Sequence, residues 1–140
     1  MKLLIASVSV VLSLGIGAAQ EATTVKRVPV HPTTSVAGKD VFHAYCAVCH
    51  GATAKGDGPA APALKIPPPD LTRIAQKNGG KFPELRVQDI ITGRTEGPAA
   101  HGSSEMPVWG PLFKHMELNP DMGTIRVFNL LKYIESIQVK

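Results

Sequence analysis

Aromatic side chains are scarce in this 140-residue chain: one Trp, two Tyr and four Phe make up 5% of it. The same chain holds 13 glycines and 12 prolines. A small domain so short of large rings and so broken by turns cannot bury much apolar surface alone, and such domains lean on a staple or a bound group. Cysteine is nearly missing as well. Cys46 and Cys49 are the only two, and with two residues between them they would close a tight, strained loop rather than a useful cross-link. There is no internal repeat and no alternating apolar–polar pattern, which argues against solenoids and half-buried sheets. Positive charge is only slightly in excess, 15 Lys+Arg against 11 Asp+Glu, and it is scattered, so nucleic acid is not an expected partner. What is present is a globular composition, 44% hydrophobic and 19% charged, at a length suited to one domain.

The one long apolar run lies at the start. Lys2 supplies a positive region, Leu3 to Gly17 an apolar one, and Gly17-Ala18-Ala19 small residues for cleavage. Residues 1–19 therefore read as an export signal cut after Ala19, with Ala22 as second choice, and removal lowers the net charge from +4 to +3. The alternative is a retained membrane anchor, although the run is at the lower edge of spanning length and diluted by Ser and Gly. No cysteine follows it, which argues against a lipoprotein anchor. Residues 20–34 read as a flexible linker and 35–140 as the folded domain.

Within the domain the pattern is helical. Ser35 or Thr34 is placed to cap a first helix running to about Cys49, with Phe42, Tyr45, Cys46 and Cys49 on one face and Gly51 ending it. From Gly51 to Pro69 breakers dominate, including Gly56-Asp57-Gly58-Pro59 and Pro67-Pro68-Pro69, and no helix survives that density of proline. Asp70 caps a short helix to about Lys77, stopped by Asn78-Gly79-Gly80. Pro83 sits in the first turn of another reaching Thr92, with Gly93 after it. Residues 94–120 read as a long irregular loop of the kind that wraps a ligand. A final helix from about Asp121 to Ile137 carries the stripe Val127, Leu130, Leu131, Ile134 and Ile137. The class is all-α with much loop.

The decisive segment is Cys46-Ala47-Val48-Cys49-His50. On a helical turn, cysteines three apart present both sulfurs to one side, a spacing that suits two thioether bonds to the vinyl groups on one edge of a haem. The next histidine can bind the iron. A thioredoxin-like dithiol is the first competitor, but it belongs at a helix start after a strand, and here the cysteines close a helix. Zinc is the second, and would need another pair of ligands. His31, His43, His101 and His115 are dispersed singly. Gly51 to Gly56 imitates half of a phosphate loop, but Asp57-Gly58 stand where Lys and Ser/Thr are required, so it is a turn.

A sixth iron ligand must come from elsewhere, and thioether and imidazole are the usual donors. Met106, followed by Pro107 inside the long loop, is the preferred residue. Met116 and Met122 are competing sulfurs, Met122 opening the final helix where its backbone would turn it away. His101 is the rival in the same loop, and a vacant or water-bound position the remaining possibility.

Over about residues 36–138 the chain resembles a class I c-type cytochrome of the bacterial monohaem type. The likeness rests on Cys46 to His50, on Gly56-Asp57-Gly58-Pro59 and on Met106-Pro107. It implies a cytochrome c fold of three to five helices around one covalent haem c, held by Cys46 and Cys49 with His50 and Met106 on the iron. It implies that Gly38 and Phe42 on the first helix pack against Leu130 and Tyr133 on the last. It implies too a proline carbonyl accepting the imidazole N–H of His50. Pro62, with Leu64 behind it, is the match, and Pro59 and Pro67 are alternatives. Trp109 would pack near the ring or bond a propionate, or serve simply as a core aromatic. The Gly-broken segment from Gly93 to Gly110 departs from the mitochondrial members of the family and concerns loop geometry and propionate contacts.

The function expected is that of a periplasmic single-electron carrier, not an enzyme, in a respiratory chain. Its partners would be redox proteins, a membrane donor and a terminal oxidase or reductase. With both axial positions filled, no small-molecule substrate reaches the iron, and membrane contact arises only if the N-terminal segment is retained. Lys39, Lys55, Lys65, Lys81 and Lys114 would face an acidic partner or merely solvate the surface. The alternatives are a haem c subunit of a larger respiratory or dehydrogenase complex, and a haem-based catalyst or sensor with an open iron position.

Overall fold

The structure, a computed structural model, describes residues 32–94, 105–116 and 119–139. The signal read at 1–19, most of the 20–34 linker, and His31 and His101 lie outside these residues.

The first helix has three parts. α1 (Gly38–Val41) passes into a π-helical turn, Phe42–Cys46, and then into α2 (Ala47–His50). It begins later than the hydroxyls suggest, because Ala37 holds the cap position with no side-chain bond. Thr33 Oγ1 instead accepts from Ser35 N–H at 3.0 Å and Ser35 Oγ from Ala37 N–H at 3.1 Å, so these side chains order the turn leading in. The π turn inserts an extra residue, and α2 is offset by about 100° from where an unbroken helix would carry it. Val41, Phe42, Tyr45 and Cys46 are buried, and so is His50. Gly51 ends the run with φ 80°.

The proline-rich stretch forms turns and one 3₁₀ turn, Ala61–Ala63. Asp70 then does what its position foretells: Oδ1 accepts from Thr72 N–H at 2.9 Å and from Thr72 Oγ1 at 2.6 Å. A 3₁₀ turn, Leu71–Arg73, and α3 (Ile74–Lys77) follow. The Thr72 hydroxyl, with the Thr72 amide and the nearby Arg73 and Lys55 charges, holds the Asp70 carboxyl below its ordinary value. A carboxyl depressed in the folded state stabilises the fold fully above its unfolded value, near 3.8, and that contribution is lost as pH falls through the folded value. Asp70→Asn, which keeps a cap acceptor for Thr72 N–H, is therefore expected to flatten the acid limb of a melting-temperature profile below about pH 4. An unchanged acid limb would show that the carboxylate contributes nothing.

α4 (Glu84–Thr92) has Pro83 at its cap position, one residue outside the first turn, and closes on Gly93 at φ 71°. The clearest departure comes next. Part of the stretch read as irregular, 94–120, is helical: α5 spans Trp109–His115. Pro111 falls in its first turn, where an amide has no helical partner to lose. α6 (Pro120–Ser136) starts one residue before the expected point, with Pro120 in its first turn and Asn119 Oδ1 accepting from Asp121 N–H at 2.9 Å.

α6 is the hub, with α5 packed most extensively on it and α1 and α4 alongside. Its expected stripe is the core: Val127, Leu130, Leu131 and Ile134 are buried, and Ile137 partly so. Two glycines set the spacing. A Cβ on Gly38 would overlap the Asn129 carbonyl oxygen, and one on Gly123 would sit 2.7 Å from Lys114 N on α5. Phe42 meets Tyr133 with ring centroids 5.3 Å apart, so Gly38 and Phe42 do pack on the last helix. Among the described residues there is no strand, and no helix is long and apolar enough to cross a membrane.

Candidate functional site

The thiols of Cys46 and Cys49 are free, Cys46 buried and Cys49 half-buried. Burial pushes the Cys46 thiol up to about 12, with a further push from Cys49, and raises Cys49 too. Reactive dithiols need the opposite, a thiol lowered toward neutrality. Burial shifts both of these the other way.

His50 closes α2 and is buried. Burial lowers its imidazole below the ordinary value, against the pull of the Pro69 carbonyl, and so keeps it neutral, the form that ligates a metal. Nδ1 faces the Pro69 carbonyl at 3.4 Å, a hydrogen bond when the proton is on Nδ1. Among the described residues Nε2 has no hydrogen bond. The carbonyl is thus Pro69, not Pro62, Pro59 or Pro67. Pro62 lies exposed in the 3₁₀ turn. Pro69 is brought back to His50 because Leu71 N–H donates to the Ala54 carbonyl at 2.8 Å.

The loop after His50 folds along the end of α2. Gly56 N–H donates to the His50 carbonyl at 2.8 Å, Gly58 N–H to Cys49 at 3.1 Å and Ala60 N–H to Val48 at 2.9 Å. These satisfy carbonyls that a helix end leaves without partners and hold the C-x-x-C-H turn from outside. Within the loop Ala54 is buried at φ 61°, a left-handed conformation that costs an alanine about 1–2 kcal/mol. Its side chain gives no hint of this in the sequence.

Tyr45, from the π turn, and Trp109 and Phe113, from α5, form one aromatic group. Tyr45 lies 5.5 Å from Trp109 and 5.3 Å from Phe113, and Trp109 stacks on Phe113 at 5.3 Å. Trp109 is therefore a core aromatic at least. Met106 is half-buried against the cluster that contains Tyr45 and Cys46. Its segment is joined to the proline-rich loop where Glu105 Oε2 accepts from Lys65 N–H at 2.9 Å, a tie with no signal in the sequence. Met116 is 53% exposed on the far end of α5, and Met122 half-buried at the start of α6. His43 and His115 are exposed, with His115 Nδ1 on the Pro111 carbonyl at 2.8 Å.

The donor set suits a covalently held porphyrin. Two neutral thiols share one helical run, a neutral imidazole follows with Nε2 uncommitted, and a thioether borders the same core. The pairing of Gly38 and Phe42 with α6 brings the two ends of the domain together beside it. A family model described as Cytochrome c matches residues 35–121. No curated protein and no solved structure matches the chain.

Proposed function

The chain belongs to the cytochrome c family, and from that premise we propose a single-haem electron carrier of the class I, bacterial type, acting in the periplasm. The family binds haem c covalently and transfers electrons to and from redox protein partners; when bound, the group supplies a one-electron iron couple. In this chain Cys46 and Cys49 would carry the two thioether bonds, and Nε2 of His50 and the sulfur of Met106 would take the two axial positions. The observation that supports this most directly is the His50 imidazole, buried, lowered by that burial, and turned with Nδ1 on Pro69. A carbonyl in that place fixes the ring plane and makes Nε2 the more basic donor. Tyr45, Trp109 and Phe113 pack together in or against the core cluster that contains Cys46. Glu105, through Lys65, holds the Met106 segment across the proline-rich loop.

Export to the periplasm is supported by the Lys2, Leu3–Gly17 and Ala19 pattern. Lys39, Lys55, Lys65, Lys81 and Lys114 are exposed and offer positive charge to an acidic partner surface.

An absorption spectrum of the matured protein in both redox states tests the reading. Pigment that stays with the polypeptide in acidified acetone is expected, with a far-red sulfur-to-iron band in the oxidised form and no change on adding carbon monoxide to the reduced form at neutral pH. A colourless protein would reject the haem assignment. Carbon monoxide binding would reject Met106 ligation and favour a catalyst or sensor.

A further inference from the structure

The end of the chain is tied back to the segment that carries Pro69. Gln138, just past α6, uses both ends of its amide. Nε2 donates to the Leu71 carbonyl at 2.7 Å and the Ile134 carbonyl at 2.8 Å, while Oε1 accepts from Ala75 N–H at 2.8 Å. The next residue adds a fourth bond, Val139 N–H to the Thr72 carbonyl at 2.8 Å. On its other side Leu71 donates to the Ala54 carbonyl, in the loop that follows His50. The segment 69–75 is therefore held between the C-terminal clamp and the His50 loop.

We infer that Gln138 is a positioning residue for the His50 imidazole: by gripping Leu71 and Ala75 it keeps the Pro69 carbonyl, two residues upstream, against Nδ1. The inference rests on reading His50 as an iron ligand. Pro67, Pro68 and Pro69 have no amide N–H and cannot anchor themselves by donating, so the bonds at Leu71, Thr72 and Ala75 decide where the Pro69 carbonyl stands. At 3.4 Å that contact lies at the long end of the useful range, where a few tenths of an ångström abolish it. Loss of the contact makes the imidazole a weaker donor and disfavours the oxidised iron.

The test uses the full-length holoprotein and two readouts besides electron-transfer activity. Gln138→Met keeps the length and removes the amide. At a fixed ambient potential its reduced-to-oxidised ratio is expected to rise about threefold, or about 28 mV for a one-electron couple. The His50 Nδ1–H resonance of the reduced protein should exchange faster with solvent. Asn129→Leu removes the bond from Asn129 Nδ2 to the Val36 carbonyl, 2.9 Å long on the same helix, and should lower the melting temperature while leaving both readouts alone. If Gln138→Met does not mature, Gln138→Glu keeps an acceptor for Ala75 but loses the donors to Leu71 and Ile134, and the same faster exchange is expected. A Gln138 variant that melts earlier yet keeps the wild-type ratio and exchange rate would overturn the inference, leaving Gln138 as a C-terminal staple only. A wild-type protein without covalent haem would overturn the functional reading and this inference with it, a result distinct from a pigmented variant with unmoved readouts.

Discussion

Gly38→Ala should lower the melting temperature of the holoprotein by about 10–20 °C, a loss of about 3–4 kcal/mol. The added methyl would overlap the Asn129 carbonyl oxygen and stand 2.8 Å from Tyr133 Cβ. The first obstacle is backbone in the middle of α6, which cannot swing aside as a flexible side chain can. The two helices must separate instead. Separation opens the Phe42–Tyr133 contact at 5.3 Å and stretches the Asn129–Val36 bond at 2.9 Å, and a gap of even 1 Å forfeits a quarter to a half of the dispersion at such a seam. The gain in helix propensity, up to about 1 kcal/mol, does not offset this. Gly79→Ala is the control: that glycine has φ +66° but open space around it, so the cost is backbone strain alone, about 1 kcal/mol. Equal melting temperatures for the two variants would mean that the first and last helices do not meet as described.

Met106→Ala is the second large effect expected, and it falls on chemistry rather than on stability. Removing the thioether should abolish the far-red band of the oxidised protein, lower the reduction potential and let the reduced form bind carbon monoxide at neutral pH, where the parent does not. The fold should survive, because Met106 is half-buried at the margin of the core and its segment remains tied through Glu105 and Lys65. His101→Ala should leave the far-red band in place. A Met106→Ala protein whose spectrum matches the parent would transfer the axial role to another residue.

Much of the fold was legible because its signals were local. The α6 stripe needed only the spacing of Val127, Leu130, Leu131 and Ile134, and Asp70 and Gly93 marked their helix ends by residue type. The C-x-x-C-H segment announced a covalent porphyrin for the same reason. What stayed hidden depended on partners far along the chain. Nothing in the residues 42–46 themselves encodes a π turn; α1 and α2 meet different neighbours, and the extra residue reconciles them. Pro111 is harmless in a first turn, and Pro69 was not among the prolines expected to hold His50, because the bond from Leu71 to Ala54 that draws it there has no local signal. Gln138 carries no motif at all.

The bond from Asn129 to Val36 joins residues 93 positions apart, and the glycine seam beside it has the same reach. Such distant pairings form late, since the chain must be nearly complete before its ends can find each other. During synthesis the Cys46–His50 turn thus emerges well before the helix that pairs with Val36 and Gly38. The proposed thioether attachment has its opportunity in that interval, before the described fold buries Cys46. Since Cys46 is buried in the closed fold, attachment before closure is the order expected.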